Sequence, residues 1–218
     1  MDLLTLAQDA IQFARGCVPL KSDNKNYGQI SAIPPAKTAA YTPEKRQLRQ
    51  KAVQDVKYAT ASDGRKLSKL PDPGCHLADM LDYGHRVMEY KAGNCVEQSA
   101  AALIHISWQL KEYEKRSGKK VPFNIVRLEA PGDHAFVALN QPSSGGKYPK
   151  DFAKWSADAI ICDPWAKLAC KASEYPAQWK AKMDKWANRG LGIGLQKPTA
   201  PQWYKAIEDH EKLPYITG

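Results

Sequence analysis

The sequence lacks the features that mark several easily recognised protein classes. It has no apolar run long enough to span a membrane, so we expect no transmembrane segment. Asp2 stands where a secretory signal carries positive charge, and Gln8 and Asp9 interrupt the apolar run, so we expect no cleaved signal peptide. No zinc-finger spacing, RNP-like aromatic motif or bZIP pattern occurs, and we therefore do not expect nucleic acid as a partner.

Cysteines are few, odd in number and irregularly spaced. The five cysteines lie at positions 17, 75, 95, 162 and 170. Without a signal peptide, this pattern disfavours a disulfide framework. There is no CxxC pair and the histidines are scattered, so we expect neither a metal site nor any other cofactor.

What the chain does have is an ordinary globular composition and an excess of positive charge. Its 218 residues are 43% hydrophobic and 25% charged, which is enough for one domain with a real core. The net charge of +9 has two interpretations. It is either a solvated surface or a means of attracting an acidic partner, such as an acidic protein face or an anionic membrane surface.

Hydrophobic periodicity divides the chain into three parts. Residues 1–70 hold an amphipathic helix, a polar stretch and a charged helix, and we predict a helical and polar extension that is a candidate targeting segment. Residues 71–175 hold the longest helical pattern, at 95–116, and form the predicted catalytic core. Residues 176–218 are predicted to be a helical extension packed on that core.

Three segments of the predicted core have the character of strands: VPFNIVRLE, HAFVALN and DAIICDPW. They follow the long helix along the chain. The order therefore predicts an α+β fold, in which a central helix packs across an antiparallel sheet.

The segment GNCVEQSAAAL places Cys95 at the start of the long helix. Gly93 permits a sharp turn there, and Asn94 is a favourable N-cap residue. The Cys95 sulfur would lie in the first turn, where free N–H groups and the helix dipole stabilise a thiolate and an oxyanion. The alternative is a small residue that packs at a helix start, and this position alone favours packing.

His134 and Asp163 are candidates for the partners that a thiol nucleophile requires. In PGDHAFVAL, His134 opens a strand, which is a rigid position for an imidazole that takes and returns a proton. In AIICDPW, Asp163 ends a buried strand, where a carboxylate can fix the orientation of the histidine. Cys162 should face the opposite side of that strand and lie in the core. Each residue alone is common in turns or cores, but the order Cys, His, Asp favours catalysis.

Three further residues are candidates for binding substrate or stabilising an oxyanion: Asn94, Gln98 and Trp165. Neither Asn94 nor Gln98 is a convincing side-chain donor, so the backbone N–H of Cys95 is the preferred oxyanion donor. Trp165 either shields the Asp–His pair from water or packs in the core.

These segments resemble the papain-like and transglutaminase-like cysteine enzymes. GNCVEQSAAAL, DHAFVAL and IICDPW are most similar to catalytic segments of bacterial toxins and type III effectors, such as the deamidase domain of the Pasteurella toxin and the HopX-type effectors. The resemblance covers residues 95–165, about a third of the chain. His134 and Asp163 are 29 residues apart, which is longer than a tight hairpin requires and indicates an insertion at the hairpin end.

The resemblance implies a papain-like or transglutaminase-like core with Cys95 as nucleophile, His134 as base and Asp163 as its orienting partner. It implies hydrolysis or acyl transfer at an amide. The preferred reaction is deamidation or transglutamination of glutamine in a protein substrate with an acidic surface. Proteolysis, peptidoglycan amide hydrolysis and a binding module without turnover remain alternatives. The resemblance also implies a toxin or effector that is cytoplasmic before delivery, is secreted into a target cell without a cleaved signal peptide, and has a secretion chaperone or an immunity protein as a further partner.

Overall fold

A computed structural model gives the α+β fold that the sequence predicts. It describes residues 1–22, 24–27, 33–58, 76–129, 133–142, 146–193, 207 and 211–214. The α-helices of this described part are α1 (Leu3–Cys17), α2 (Pro43–Tyr58), α3 (Leu77–Tyr90), α4 (Cys95–Ser117) and α5 (Tyr175–Ala187). Its strands are β1 (Lys25–Tyr27), β2 (Phe123–Leu128), β3 (Ala135–Leu139), β4 (Ile160–Asp163), β5 (Leu168–Lys171), β6 (Leu191–Ile193) and β7 (Lys212–Pro214).

An antiparallel sheet in the order β5-β4-β3-β2-β7 forms the centre of the molecule. Strand β3 pairs with β2 on one side and with β4 on the other, where Val137 lies opposite Cys162. His134, which precedes β3, and Asp163, the last residue of β4, therefore lie on neighbouring strands that are joined by a long connection. That this connection is an insertion stays a prediction. A separate pair, β1-β6, joins the segment after α1 to the segment after α5.

Helices α1, α3 and α4 pack together, and α1 and α4 cover one face of the sheet. Three consecutive alanines of α4, residues 100–102, are fully buried and allow neighbouring backbones to come close. The closest approach is at Gly84 of α3, where an added Cβ would lie only 2.6 Å from the Ala100 carbonyl oxygen. Ser99 of α4 donates a hydrogen bond to the Ala135 carbonyl of β3 (3.3 Å), which fixes the helix against the centre of the sheet.

Aromatic side chains cover the opposite face of the sheet. Phe136 of β3 packs against Phe152 and Tyr175, with ring centroids 6.2 and 5.1 Å away. Successive side chains of a strand point to opposite faces. Cys162 accordingly faces α1 and donates to the Ala7 carbonyl (3.5 Å), while Asp163 faces the aromatic layer. Cys162 is fully buried, which confirms its predicted place in the core.

Segments from both predicted extensions pack on this core. The buried face of α1 belongs to the same apolar cluster as the sheet, and β7 forms an edge of the sheet by pairing with β2, where Arg127 lies opposite Leu213. The C-terminal region is helical in α5. Leu191–Ile193 is a strand within the glycine-rich stretch NRGLGIGLQKPTAPQ, which breaks the helical pattern, and Lys212–Pro214 is a strand instead of the predicted helix. Their pairing partners are distant in sequence, so local periodicity does not report them.

The predicted break at 62–74 and residues 143–145 of the predicted PSSGGKY loop lie outside the described residues. Within the described ranges, no helix is both long and apolar enough to cross a membrane.

Candidate active site

The turn before α4 fixes the position of Cys95. Asn94 is the N-cap, and its backbone N–H donates to the Glu97 carboxylate (2.8 Å), while the Tyr83 hydroxyl donates to the other Glu97 oxygen (2.7 Å). A Cβ added to Gly93 would lie 2.4 Å from Glu97 Cβ, so this tight turn requires glycine. Cys95 is thereby held at the first helical position, as the sequence predicts.

His134 and Asp163 form a buried hydrogen-bonded pair. The backbone carbonyl of His134 accepts from the Leu128 N–H (2.9 Å), which holds the residue at the entrance to β3. Asp163 is the last residue of β4, the neighbouring strand. His134 Nε2 lies 2.9 Å from Asp163 Oδ2, and both side chains are almost completely buried. The aspartate therefore orients the ring, and Nδ1 is the ring nitrogen left to exchange a proton with a nucleophile.

The Asp163 carboxylate accepts two further hydrogen bonds. The Tyr175 hydroxyl donates to Oδ2 (2.8 Å), and the Ala166 N–H donates to Oδ1 (2.8 Å). Burial alone would raise the pKa of Asp163, but His134 and these two donors outweigh it and hold the pKa below its ordinary value. Burial and the neighbouring Asp163 charge raise the pKa of Tyr175 well above its ordinary value, so the phenol stays neutral and donates.

Cys95 lies beside this pair. Its sulfur accepts a hydrogen bond from the backbone N–H of Ala135, the residue that follows His134, so the candidate nucleophile and the candidate base both lie near the start of β3. The protonation state differs from the thiolate expected from the helix start. Burial, together with the carboxylates of Asp133 and Glu97, raises the pKa of Cys95, and the Ala135 hydrogen bond only partly opposes this. The resting residue is a neutral thiol.

The other predicted site residues lie in the surrounding wall. Gln98 is buried, and its side-chain NH₂ donates to Ser22 Oγ and to the Gly93 carbonyl (both 2.8 Å). These bonds occupy the amide hydrogens that an oxyanion would need, so the observed contacts brace the turn before Cys95. Asn94 is part of the same turn. The assignment of Gln98 and Asn94 to substrate or oxyanion binding stays a prediction.

Trp165 covers the histidine ring together with a residue that sequence reasoning missed. The ring centroid of Trp165 lies 5.2 Å from that of His134, and Trp179 of α5 lies 4.6 Å away. Tyr175 and Trp179 are four residues apart, so they lie on one face of α5 and reach the Asp–His pair together. The YPAQW spacing at the start of α5 predicts that Tyr175 and Trp179 share one helix face, but the sequence does not indicate which strand that face packs against.

Lys25 is a second residue that sequence reasoning did not single out. Its ammonium group lies 4.0 Å from the ring centroid of Trp165 and 4.5 Å from that of Trp186, and it donates to the Trp165 carbonyl. Burial lowers the pKa of Lys25 to about 7; Asp163 opposes this shift, and Lys167 adds to it. The lysine thus packs against the tryptophan that covers the histidine.

In the described part of the chain, no three His, Cys, Asp or Glu side chains are grouped so as to hold a metal ion. No family model, curated protein or solved structure matches the chain. The residues of the site therefore carry the functional argument.

Proposed function

We propose that the protein is a cysteine-dependent amide acyl-transfer enzyme, with Cys95 as nucleophile, His134 as base and Asp163 as the orienting residue. The observation that carries this proposal is the buried His134–Asp163 pair, 2.9 Å apart, next to a cysteine at a helix N-terminus. Burying an aspartate and an imidazole is costly unless both are satisfied, and here three donors serve the carboxylate. A purely structural cysteine would have no need of such an arrangement.

The first half of the reaction joins the substrate acyl group to Cys95. The thiol proton passes to His134 Nδ1 as the sulfur attacks the amide carbonyl carbon. The oxyanion is stabilised by the backbone N–H of Cys95, one of the unpaired donors at the start of α4. Nitrogen then leaves with the proton from His134, as ammonia or an amine, and a thioester remains.

The second half removes the acyl group from sulfur. Water, or an amine in transglutamination, gives a proton to His134 and attacks the thioester carbonyl. Collapse of this intermediate returns the proton to Cys95 and releases an acid or a new amide. Throughout the cycle Asp163 holds the ring through Nε2 and stabilises the imidazolium that forms after each proton transfer.

The shape of the site favours the side-chain amide of glutamine as substrate. Cys95 is only 5% exposed and His134 only 4%, so the reacting atoms lie below the surface. A glutamine side chain has three rotatable bonds and can reach a recessed sulfur from a folded protein, whereas a backbone amide would require local unfolding. The net charge of +9 favours a substrate protein with an acidic surface. A papain-like or transglutaminase-like core, delivery as an effector, and a chaperone or immunity partner stay predictions from the resemblance.

The test is ammonia release from a glutamine-rich unfolded protein such as casein, with intact-mass and gel analysis of the same samples. Deamidation replaces an amide nitrogen by oxygen, transglutamination adds a supplied amine probe, and proteolysis shortens the chain. Cys95→Ala should abolish the reaction, while Cys17→Ala, which removes a half-buried cysteine of α1, should retain it.

A folding check accompanies the variants, because Cys95 lies in the core. Near-ultraviolet circular dichroism reports the aromatic layer around His134 and should be unchanged in Cys95→Ala. The proposal is wrong if wild type and a folded Cys95→Ala variant give the same products at the same rate.

A further inference from the structure

A cavity of about 410 Å³ adjoins the candidate active site, with Trp165 and Gln98 among the residues that line it. Among the described residues that line it, nine are lysine or arginine and none is aspartate or glutamate. The cations come from distant parts of the chain, since Arg15 lies in the last turn of α1, Lys167 precedes β5, and Lys182 and Lys185 lie on α5. The excess of positive charge in the composition is therefore concentrated in one concave place.

These cations repel one another. In the described part of the chain, no carboxylate forms an ion pair with Arg15, Lys167, Lys182 or Lys185. Burial lowers the pKa of Lys167, and Arg15 and Lys182 lower it further. The pKa of Lys182 is lowered by burial and by Lys185. A cluster of this kind costs folding free energy unless an anion occupies it.

Backbone conformation supports a ligand role for the same cluster. Lys21 and Lys167, which both line the cavity, adopt left-handed backbone conformations with φ of 69° and 60°. Residues other than glycine are uncommon in the left-handed region of backbone conformation, and those that adopt it are often found at functional sites, where the surrounding structure holds them in place. Two such lysines therefore lie in the lining of one cavity.

We propose that this cavity binds a small, multiply phosphorylated molecule. Its volume is that of a small-molecule site and excludes a folded partner. Each phosphate carries about −1.5 to −2 charge and accepts several hydrogen bonds, so a compact polyphosphate offsets many cations where a few carboxylates would not. The inference is independent of the proposed reaction.

The cavity also adjoins the site physically. Gln98 and Ser22 line the cavity and hold the Gly93 carbonyl, two residues before Cys95. Trp165 lines the cavity and also covers His134. A bound ligand therefore contacts the walls that position both nucleophile and base.

The experiment measures binding to the full chain at physiological ionic strength, by calorimetry and by the shift in melting temperature. The probes are inositol hexakisphosphate, tripolyphosphate, vesicles containing a phosphoinositide, vesicles containing phosphatidylserine, and polyglutamate. We expect saturable binding with one site and a raised melting temperature for inositol hexakisphosphate. Binding confined to phosphoinositide vesicles also supports the proposal and assigns the phosphates to a lipid headgroup.

A matched pair of variants separates the cavity from general electrostatics. Lys182→Gln/Lys185→Gln should weaken binding about tenfold or more, the effect of losing at least one charge-assisted contact. Lys111→Gln/Lys119→Gln removes the same charge from exposed positions on and just after α4 and should change affinity less than about twofold, since surface charges are screened. The proposal is overturned if the two double variants lose the same affinity, or if no phosphate probe binds. It is also overturned if polyglutamate or phosphatidylserine vesicles bind as tightly as the phosphate probes.

Discussion

Removing the hydroxyl of Tyr175 tests whether the Asp163 carboxylate depends on the donor that α5 supplies. In Tyr175→Phe, Asp163 Oδ2 keeps His134 at 2.9 Å and loses the phenol at 2.8 Å. Hydrogen bonds to charged groups contribute about 1.5–3 kcal/mol, so we expect the free energy of unfolding to fall by about 2 kcal/mol. For a domain of this size that is a drop of roughly 4–8 °C in melting temperature.

Tyr148→Phe is the matched control for this variant. Tyr148 is also buried and packs on Trp155, but its hydroxyl is bonded to the neutral side chain of Asn124. A neutral hydrogen bond contributes about 1 kcal/mol, so this variant should lose about half as much stability. Urea unfolding of both variants gives the comparison.

A second measurement separates positioning from stability. At equal folded fraction, Tyr175→Phe should slow the alkylation of Cys95 by a peptide that carries an electrophilic glutamine analogue, because the His134–Asp163 pair is less firmly held. Tyr148→Phe should leave the rate unchanged. If the two variants lose the same stability and alkylate at the same rate, Tyr175 is an ordinary packing residue and the reasoning fails.

Two other predictions concern packing and pH. Gly84→Ala should lower the free energy of unfolding by about 2 kcal/mol or more, because the new Cβ would lie 2.6 Å from the Ala100 carbonyl oxygen. The control Gly16→Ala in α1 has nothing near its Cβ and should be neutral or stabilising by up to about 1 kcal/mol. Thermal melts of both variants test this difference, and equal effects would contradict the packing argument. Because the pKa of Asp163 is lower in the folded than in the unfolded chain, its contribution is complete above about pH 4 and is lost as pH falls through the folded value. Asp163→Asn should lower the free energy of unfolding by about 3 kcal/mol at pH 7 and should weaken the loss of stability at acid pH. Urea unfolding from about pH 3 to pH 7 measures both effects. If the loss of stability at acid pH is unchanged in the variant, it arises from other carboxyl groups.

The parts of the site that the sequence predicted are those with local signals. Gly-Asn before an amphipathic run marks the start of α4, and apolar runs ending at a polar residue mark His134 and Asp163. These three strand and helix ends all lie within the stretch from α4 to β4. Neighbouring strands in sequence usually pair, so the order of the motifs was enough to bring them together.

The rest depends on contacts between distant residues, for which the sequence holds no local signal. Tyr175 lies 41 residues from His134, and Lys25 lies 140 residues from Trp165. The pairing of β7 with β2 joins a three-residue strand to the sheet edge, where helical periodicity gave the wrong expectation. The protonation state of Cys95 could not be predicted either, since a helix start favours the thiolate while burial beside Asp133 and Glu97 favours the thiol.

This last competition determines how the site would work. The proposed base is organised in advance, since Asp163 and the aromatic layer fix the His134 ring before any substrate arrives. The proposed nucleophile is not, because burial and two nearby carboxylates keep Cys95 protonated. Deprotonation therefore has to accompany attack, when the developing oxyanion and the imidazolium balance each other's charge. A thiol of this kind is slow toward small oxidants and general alkylating agents and fast only toward an acyl group that fills the site, which suits an enzyme whose recessed sulfur must select one amide on a protein surface.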